Sequence, residues 1–193
     1  MNNIREYNEY LKRHKKSQNK GQSTKDSERL KTYKAEWAFK AKVPQKLKRL
    51  KDIKAVQKYA DKVVGSTTYS KIDCNRRPNT EVHCRAKKAH NGSGFAGWAY
   101  SNHIVLDTDT GMDIYTVLHE LAHTAGHRHH GRSFRQALVK LVSRFMGRES
   151  ATMLKAEFKA SKLAYGEPRQ PKSFDQWVAA KERMEKMRGL KSA

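Results

Sequence analysis

Residues 113–134 read DIYTVLHELAHTAGHRHHGRSF, and the organisation of the chain can be worked outward from this stretch. Asp113 is the kind of residue that caps a helix start. Behind it Ile114, Val117, Leu118, Leu121 and Ala125 recur at helical spacing. Gly126 stands where such a helix stops. A second helix is expected from about Ser133, with Phe134, Leu138, Leu141, Val142 and Phe145 on one side and Gly147 after it. Helix is expected again from Ser150 to Leu163.

Upstream, the period changes. Val82, Cys84 and Ala86 alternate with His83, Arg85 and Lys87, as in a half-buried strand. The turn cluster His90-Asn91-Gly92-Ser93-Gly94 follows, then two further strands, Phe95 to Tyr100 and His103 to Asp107. Further upstream, Asp52 caps an expected helix from Ile53 to Val64, with Val56, Tyr59, Ala60 and Val63 on one face. Ser27 to Ala41 carries the stripe Leu30, Tyr33, Trp37 and Ala41, whereas His14 to Lys25 is polar, lacks periodicity and reads as a linker. Trp37, Trp98 and Trp177 read as packing residues in preference to base-stacking platforms. Strands between helical blocks place the chain in the α+β class. The expected division is a basic, flexible segment over 1–28, one domain over 29–168, and a basic C-terminal helix or tail over 169–193.

The 193 residues are 37% hydrophobic and 31% charged, enough for one modest core with extensions outside it. The net charge is +22, and more than half of the excess lies in the first sixty residues. That balance argues against a secreted acidic-site binder or a neutral, tightly packed structural module, and makes a polyanion the natural counterpart. Lys12-Arg13-His14-Lys15-Lys16 and Lys46-Leu47-Lys48-Arg49-Leu50-Lys51 suit non-specific DNA or RNA contact through the basic extensions. No helix-turn-helix, zinc-finger or RNP pattern accompanies them. No run approaches a membrane span, and no apolar stretch backs the positive N-terminus, so a cytoplasmic, non-secreted protein is expected. Cys74 and Cys84 are too few and too widely spaced for a disulfide framework.

Five of the nine histidines fall between His119 and His130. His119-Glu120-Leu121-Ala122-His123 is an HExxH motif. On a helix, residues four apart share a face, so both imidazoles reach one metal ion, with zinc the natural occupant. Glu120 sits at the edge of that face, where it can take a proton from activated water and pass it to a leaving group. The third ligand is open at this level. His127 continues the four-residue series but drifts off the face by about 40° per step. His129 completes HExxHxxGxxH, and His130 opens the HGxxF run His130-Gly131-Arg132-Ser133-Phe134. Cys74, His83, Cys84 and His90 match no metal spacing, while Tyr100, Arg132 and Tyr165 are oxyanion donors by residue type alone.

His119 to His123 followed by His130-Gly131-x-x-Phe134 resembles the SprT-like zincin metallopeptidases. The chain is more similar still to a family of bacterial and phage HExxH metallohydrolases without an established substrate. That likeness takes in Val56 to Val64, Val117-Leu118 and Phe145-Met146-Gly147, with Tyr33-Lys34-Ala35-Glu36 as a further match, over about residues 29–165. It departs at Arg132-Ser133, where Pro and an acidic residue are expected. The resemblance implies a zincin-like core, a small and mainly antiparallel sheet packed on the HExxH helix. It also implies Zn2+ held by His119, His123 and His130, with Glu120 as general base. In zincins an edge strand pairs with a peptide substrate, and His103 to Asp107 reads either as that strand or as an ordinary strand covering the helix. SprT-like enzymes are associated with proteolysis of DNA-bound proteins, which suits the basic extensions. A hydrolase acting on protein or peptide is therefore the leading expectation. The alternative is a basic nucleic-acid-binding accessory protein with a structural metal site.

Overall fold

Eight α-helices and three short strands account for the regular structure of a computed structural model, which describes residues 2–19, 26–74, 81–88, 96–100, 102–166 and 173–189. The class is α+β, as the sequence predicts. Residues 25–166 form one unit, and residues 1–24 with 167–193 form another. No helix among the described residues is long and apolar enough to cross a membrane.

In the smaller unit, helix α1 (Asn2–Asn19) meets α8 (Phe174–Gly189) through aromatic rings. Tyr7 stands edge-on to Phe174 at 5.3 Å, and Trp177 lies 5.8 Å from Tyr7. Lys181 adds an ion pair to Glu6 at 2.7 Å. Helix α1 runs through His14 to Asn19, which corrects the reading of that stretch as linker. Lys and Gln have good helix propensity, and here it outweighs the missing apolar stripe. The rest of the predicted linker, residues 20–25, lies outside the described residues.

The larger unit begins with α2 (Arg29–Lys42) and a single 3-10 turn at Pro44–Lys46. Helices α3 (Ile53–Val64) and α4 (Thr67–Ile72) follow. Asp52 caps α3 by accepting from Ala55 N at 2.8 Å, and Val56, Ala60 and Val63 are buried, as the periodicity predicts. The stripe predicted for α2 is not its core face. Leu30 and Trp37 are 68% and 63% exposed, whereas Thr32, Ala35, Glu36 and Phe39 are buried. A glutamate on the inner face masked this i, i+3, i+4, i+7 set, and its burial is explained by the partner it finds below.

Strands β1 (His83–Lys87), β2 (Gly97–Tyr100) and β3 (His103–Asp107) form one sheet in the order β1-β3-β2. β2 and β3 are antiparallel with Tyr100 opposite His103, while β1 and β3 are parallel with His83 opposite His103. The sheet is therefore mixed, not mainly antiparallel. β3 pairs with β1 on one side and β2 on the other, so β3 is central. This removes His103 to Asp107 as a substrate-pairing edge and makes β1 and β2 the two edge strands among the described residues.

Helix α5 (Ile114–Thr124) lies against the inner face of the sheet, and every residue from Tyr115 to Ala122 is buried. Asp113 caps it by accepting from Thr116 N at 2.9 Å, and also accepts from Lys40 Nζ at 2.9 Å. Ile104 and Leu106 face α5 from β3. Helix α6 (Arg132–Phe145) adds Phe134, Leu138, Leu141 and Val142, and α7 (Arg148–Ala160) adds Leu154 and Phe158. Burying a side chain of this size contributes roughly 1.5–3 kcal/mol, so α5 is fixed on all sides. Gly126, at φ 97°, adopts the left-handed conformation that ends α5 and turns the chain back toward α6.

Candidate metal centre

His119 and His123 project from one side of α5, and the turn at Gly126 returns His130 to face them. His130 Nε2 lies 3.2 Å from His119 Nε2 and 3.3 Å from His123 Nε2. Among the described residues these three are the cluster of His, Cys, Asp or Glu side chains that converges closely enough to hold one ion. His129 is exposed and stays outside it. His127 turns away, its Nε2 donating to Ile72 O at 3.0 Å. Both alternatives for the third position are thus separated from the convergent set.

Each of the three imidazoles is anchored through its other nitrogen. His119 Nδ1 donates to Glu36 Oε2 at 3.0 Å, His123 Nδ1 to the His127 carbonyl at 2.6 Å, and His130 Nδ1 to Asp26 Oδ2 at 2.5 Å. Carboxylates and carbonyls accept and do not donate, so each Nδ1 carries the proton and each Nε2 presents a lone pair. Lone pairs converging at 3.2–3.3 Å repel unless a cation lies between them. Tetrahedral ligation with bonds of about 2.0–2.1 Å separates its donors by about 3.3–3.4 Å, so the residues fit a zinc-like ion. The donor set alone does not name zinc.

Phe134 is a floor common to all three rings, 4.8 Å from His119, 4.5 Å from His123 and 4.8 Å from His130. This explains the aromatic residue four positions after His130. Arg135, next to it, is buried and donates to the His130 carbonyl at 2.5 Å, to Ala164 O at 2.8 Å and to Glu28 Oε2 at 3.0 Å. Thr32 Oγ1 donates to the same His130 carbonyl at 3.1 Å. The backbone of the third histidine is therefore held by α2 and α6 together.

Glu120 is almost wholly buried, and its Oε2 has no protein partner. Burial raises its carboxyl to about 7, with Glu36 adding to the rise and His119 opposing it. Burial lowers His123 strongly, with His119 and His130 reinforcing it, and lowers His130 as well. Burial pulls His119 down too, but the Glu36 carboxylate outweighs it and the net direction is upward. Gly97 makes room for the Glu120 carboxylate. A Cβ there would lie 2.9 Å from Leu106 Cδ2 and 3.0 Å from Glu120 Oε1.

A cleft of about 420 Å³ opens over the three histidines and Glu120, bounded by β2 and by Arg29 and Tyr33 of α2. Of the donors proposed by residue type, Arg132 donates to Gly166 O at 2.8 Å and Tyr165 packs 6.3 Å from Phe158, while Tyr100 lines the cleft. The sequence missed Tyr33, whose ring stands edge-on to His130 at 4.7 Å and 5.9 Å from His119. Burial, then the Glu120 and Glu36 carboxylates, push its phenol up to about 12. Also missed were Glu36 and Asp26. Cys74, His83 and Cys84 form no second cluster of possible metal ligands among the described residues. Cys74 lies against His127, His83 and Cys84 alternate along β1, and His90 lies outside the described residues. Compared with family models, curated proteins and solved structures, the chain matches none of them.

Proposed function

We propose that this chain is a zinc-dependent metallopeptidase with a zincin-like core, in which His119, His123 and His130 hold the metal and Glu120 is the general base. The observation that carries this reading is the convergence of three anchored imidazoles beside a buried carboxylate with one unpartnered oxygen. A zinc ion held there supplies Lewis acidity, which acidifies water and polarises a carbonyl. Glu120 accepts the proton of the attacking water as the new C–O bond forms, and delivers it to the amine as the C–N bond breaks. Gly97 leaves the space in which that carboxylate sits.

Substrate placement follows from the edge of β2, which borders the cleft and has no strand on its other side among the described residues. An extended peptide adds to that edge through backbone hydrogen bonds, which favours a peptide carbonyl over other acyl groups. Tyr33 keeps its proton to about pH 12 and is suited to donate to the carbonyl oxygen as it gains charge. The charge of +22 supports substrates that are themselves associated with nucleic acid. Among the described residues three ligands converge, and an ion held by three side chains would keep a position for water, which favours catalysis over a purely structural site.

The test is Glu120→Gln on zinc-loaded protein, assayed on an unfolded protein substrate. Bound metal is expected to stay and hydrolysis to fall by at least about 100-fold. Turnover equal to wild type would remove Glu120 from the mechanism.

A further inference from the structure

The outer face of the sheet carries a column of rings that the core does not use. Alternation along β2 turns Ala99 inward and Trp98 and Tyr100 outward, where they remain 45% and 49% exposed. Trp98 stacks on Tyr100 at 4.8 Å and 19°, and Tyr100 on His103 at 5.1 Å and 9°. His83 continues the column from β1, 5.3 Å from His103. The reading of Trp98 as a packing residue is therefore corrected, because it ends a stack at the surface. Cations share this face. Arg85 stands opposite Val105, which is itself opposite Trp98, and Lys87 stands opposite Asp107, with both cationic side chains exposed.

Rings alone on a sheet suit many partners, and cations alone suit any polyanion. A stack ending in a free indole, two strand-widths from a guanidinium, suits a ligand that alternates flat bases with phosphates. Unpaired bases are needed, because the faces of bases in a duplex are already covered by their neighbours. We propose that this face binds single-stranded DNA, one base extending the ring column at Trp98 while the adjoining phosphates lie over Arg85 and Lys87. The stack and the cations engage bases and phosphates, so DNA needs nothing further on this face, and an RNA strand of equal length tests for an added partner to the 2′-hydroxyl. The proposal is independent of the peptidase reading and is measured without it. Its consequence for that reading is spatial, since Trp98 and Tyr100 also border the cleft over the histidines. A DNA strand on this face would pass beside the edge where a peptide substrate would pair.

The test is fluorescence anisotropy of a labelled fifteen-nucleotide thymidine strand with the full chain. The comparison ligands are an abasic strand of equal length, the matching duplex and a uridine RNA strand. Binding of the thymidine strand is expected to exceed that of the other three. Trp98→Ala is expected to weaken it by about fivefold or more, Tyr100→Ala by less, and Trp98→Phe to retain most of it. The melting temperature reports whether each variant is folded. Equal binding of thymidine and abasic strands by wild type would overturn the stacking site even if no variant folds. Unchanged affinity in folded Trp98→Ala would also overturn it, and preference for the duplex or for RNA would overturn the assigned ligand.

Discussion

Replacing Glu36 with alanine tests whether the histidines are organised as metal ligands or are merely packed together. Glu36 Oε2 is the acceptor for His119 Nδ1 at 3.0 Å, and its side chain is 6% exposed, so water replaces it less readily than it would an exposed partner. Loss of such an outer partner lowers metal affinity about 10- to 100-fold, or roughly 1.4–2.8 kcal/mol. Asp26 serves His130 in the same way, but its side chain is 19% exposed and water can substitute in part. Glu36→Ala is therefore expected near the upper end and Asp26→Ala near about tenfold. Stability of the metal-free protein should respond less. Removing Glu36 leaves His119 Nδ1 without an acceptor, but it also removes a buried carboxylate whose Oε1 has no partner. The assay is competition against a chromophoric zinc chelator, with thermal melting of the metal-free proteins alongside. Wild-type affinity in Glu36→Ala, or a larger loss in Asp26→Ala than in Glu36→Ala, would show that these carboxylates do not orient metal ligands.

Gly97→Val should displace the Glu120 carboxylate, since even a Cβ would lie 3.0 Å from Oε1. Zinc content should hold while hydrolysis is lost, and retained activity would contradict this. Arg135→Ala removes the donor to Glu28 and to the carbonyls of His130 and Ala164, and since Glu28 is 42% exposed the cost lies in the carbonyls, so denaturant unfolding should show a loss of about 1–3 kcal/mol. A loss below about 1 kcal/mol would show that the His130 turn is held by other means. The phenols of Tyr33 and Tyr69 are raised to about 12, in both cases mainly by burial, so between their ordinary value of 10.0 and about 12 the unfolded chain holds fewer protons than the folded one. Stability should fall as pH rises through that window, and Tyr69→Phe should flatten the fall in melting temperature. A melting temperature that is level from pH 10 to 12 would count against buried, protonated phenols.

Much of this arrangement is legible along the chain because it is local. Asp52 and Asp113 cap the helices that their apolar periodicity marks, and His119, Glu120 and His123 share a helix whose geometry follows from spacing. By spacing His130 is one of three candidates, with His127 and His129, and the HGxxF resemblance is what singles it out. The structure adds the turn at Gly126 and the common floor of Phe134. The partners that fix the imidazoles were not legible, because they come from far away in sequence. Glu36 is 83 residues from His119, and Asp26 is 104 residues from His130. A polar residue on the inner face of α2 broke the apolar pattern there, and only the histidine it serves explains its place. The i, i+3, i+4, i+7 set Thr32, Ala35, Glu36 and Phe39 was the available signal, since it marks a face once a buried carboxylate is allowed on it. Strand order was likewise invisible, because alternation marks a strand and says nothing of its neighbours. The candidate edge strand β3 is central for that reason.

The most direct test of the account is the metal content of purified full-length chain, measured by elemental analysis for wild type beside His119→Ala, His129→Ala and His130→Ala. The account predicts about one zinc per chain in wild type and in His129→Ala, and loss of the metal in the other two. A metal-free wild type, or zinc kept by His130→Ala and lost from His129→Ala, would contradict it.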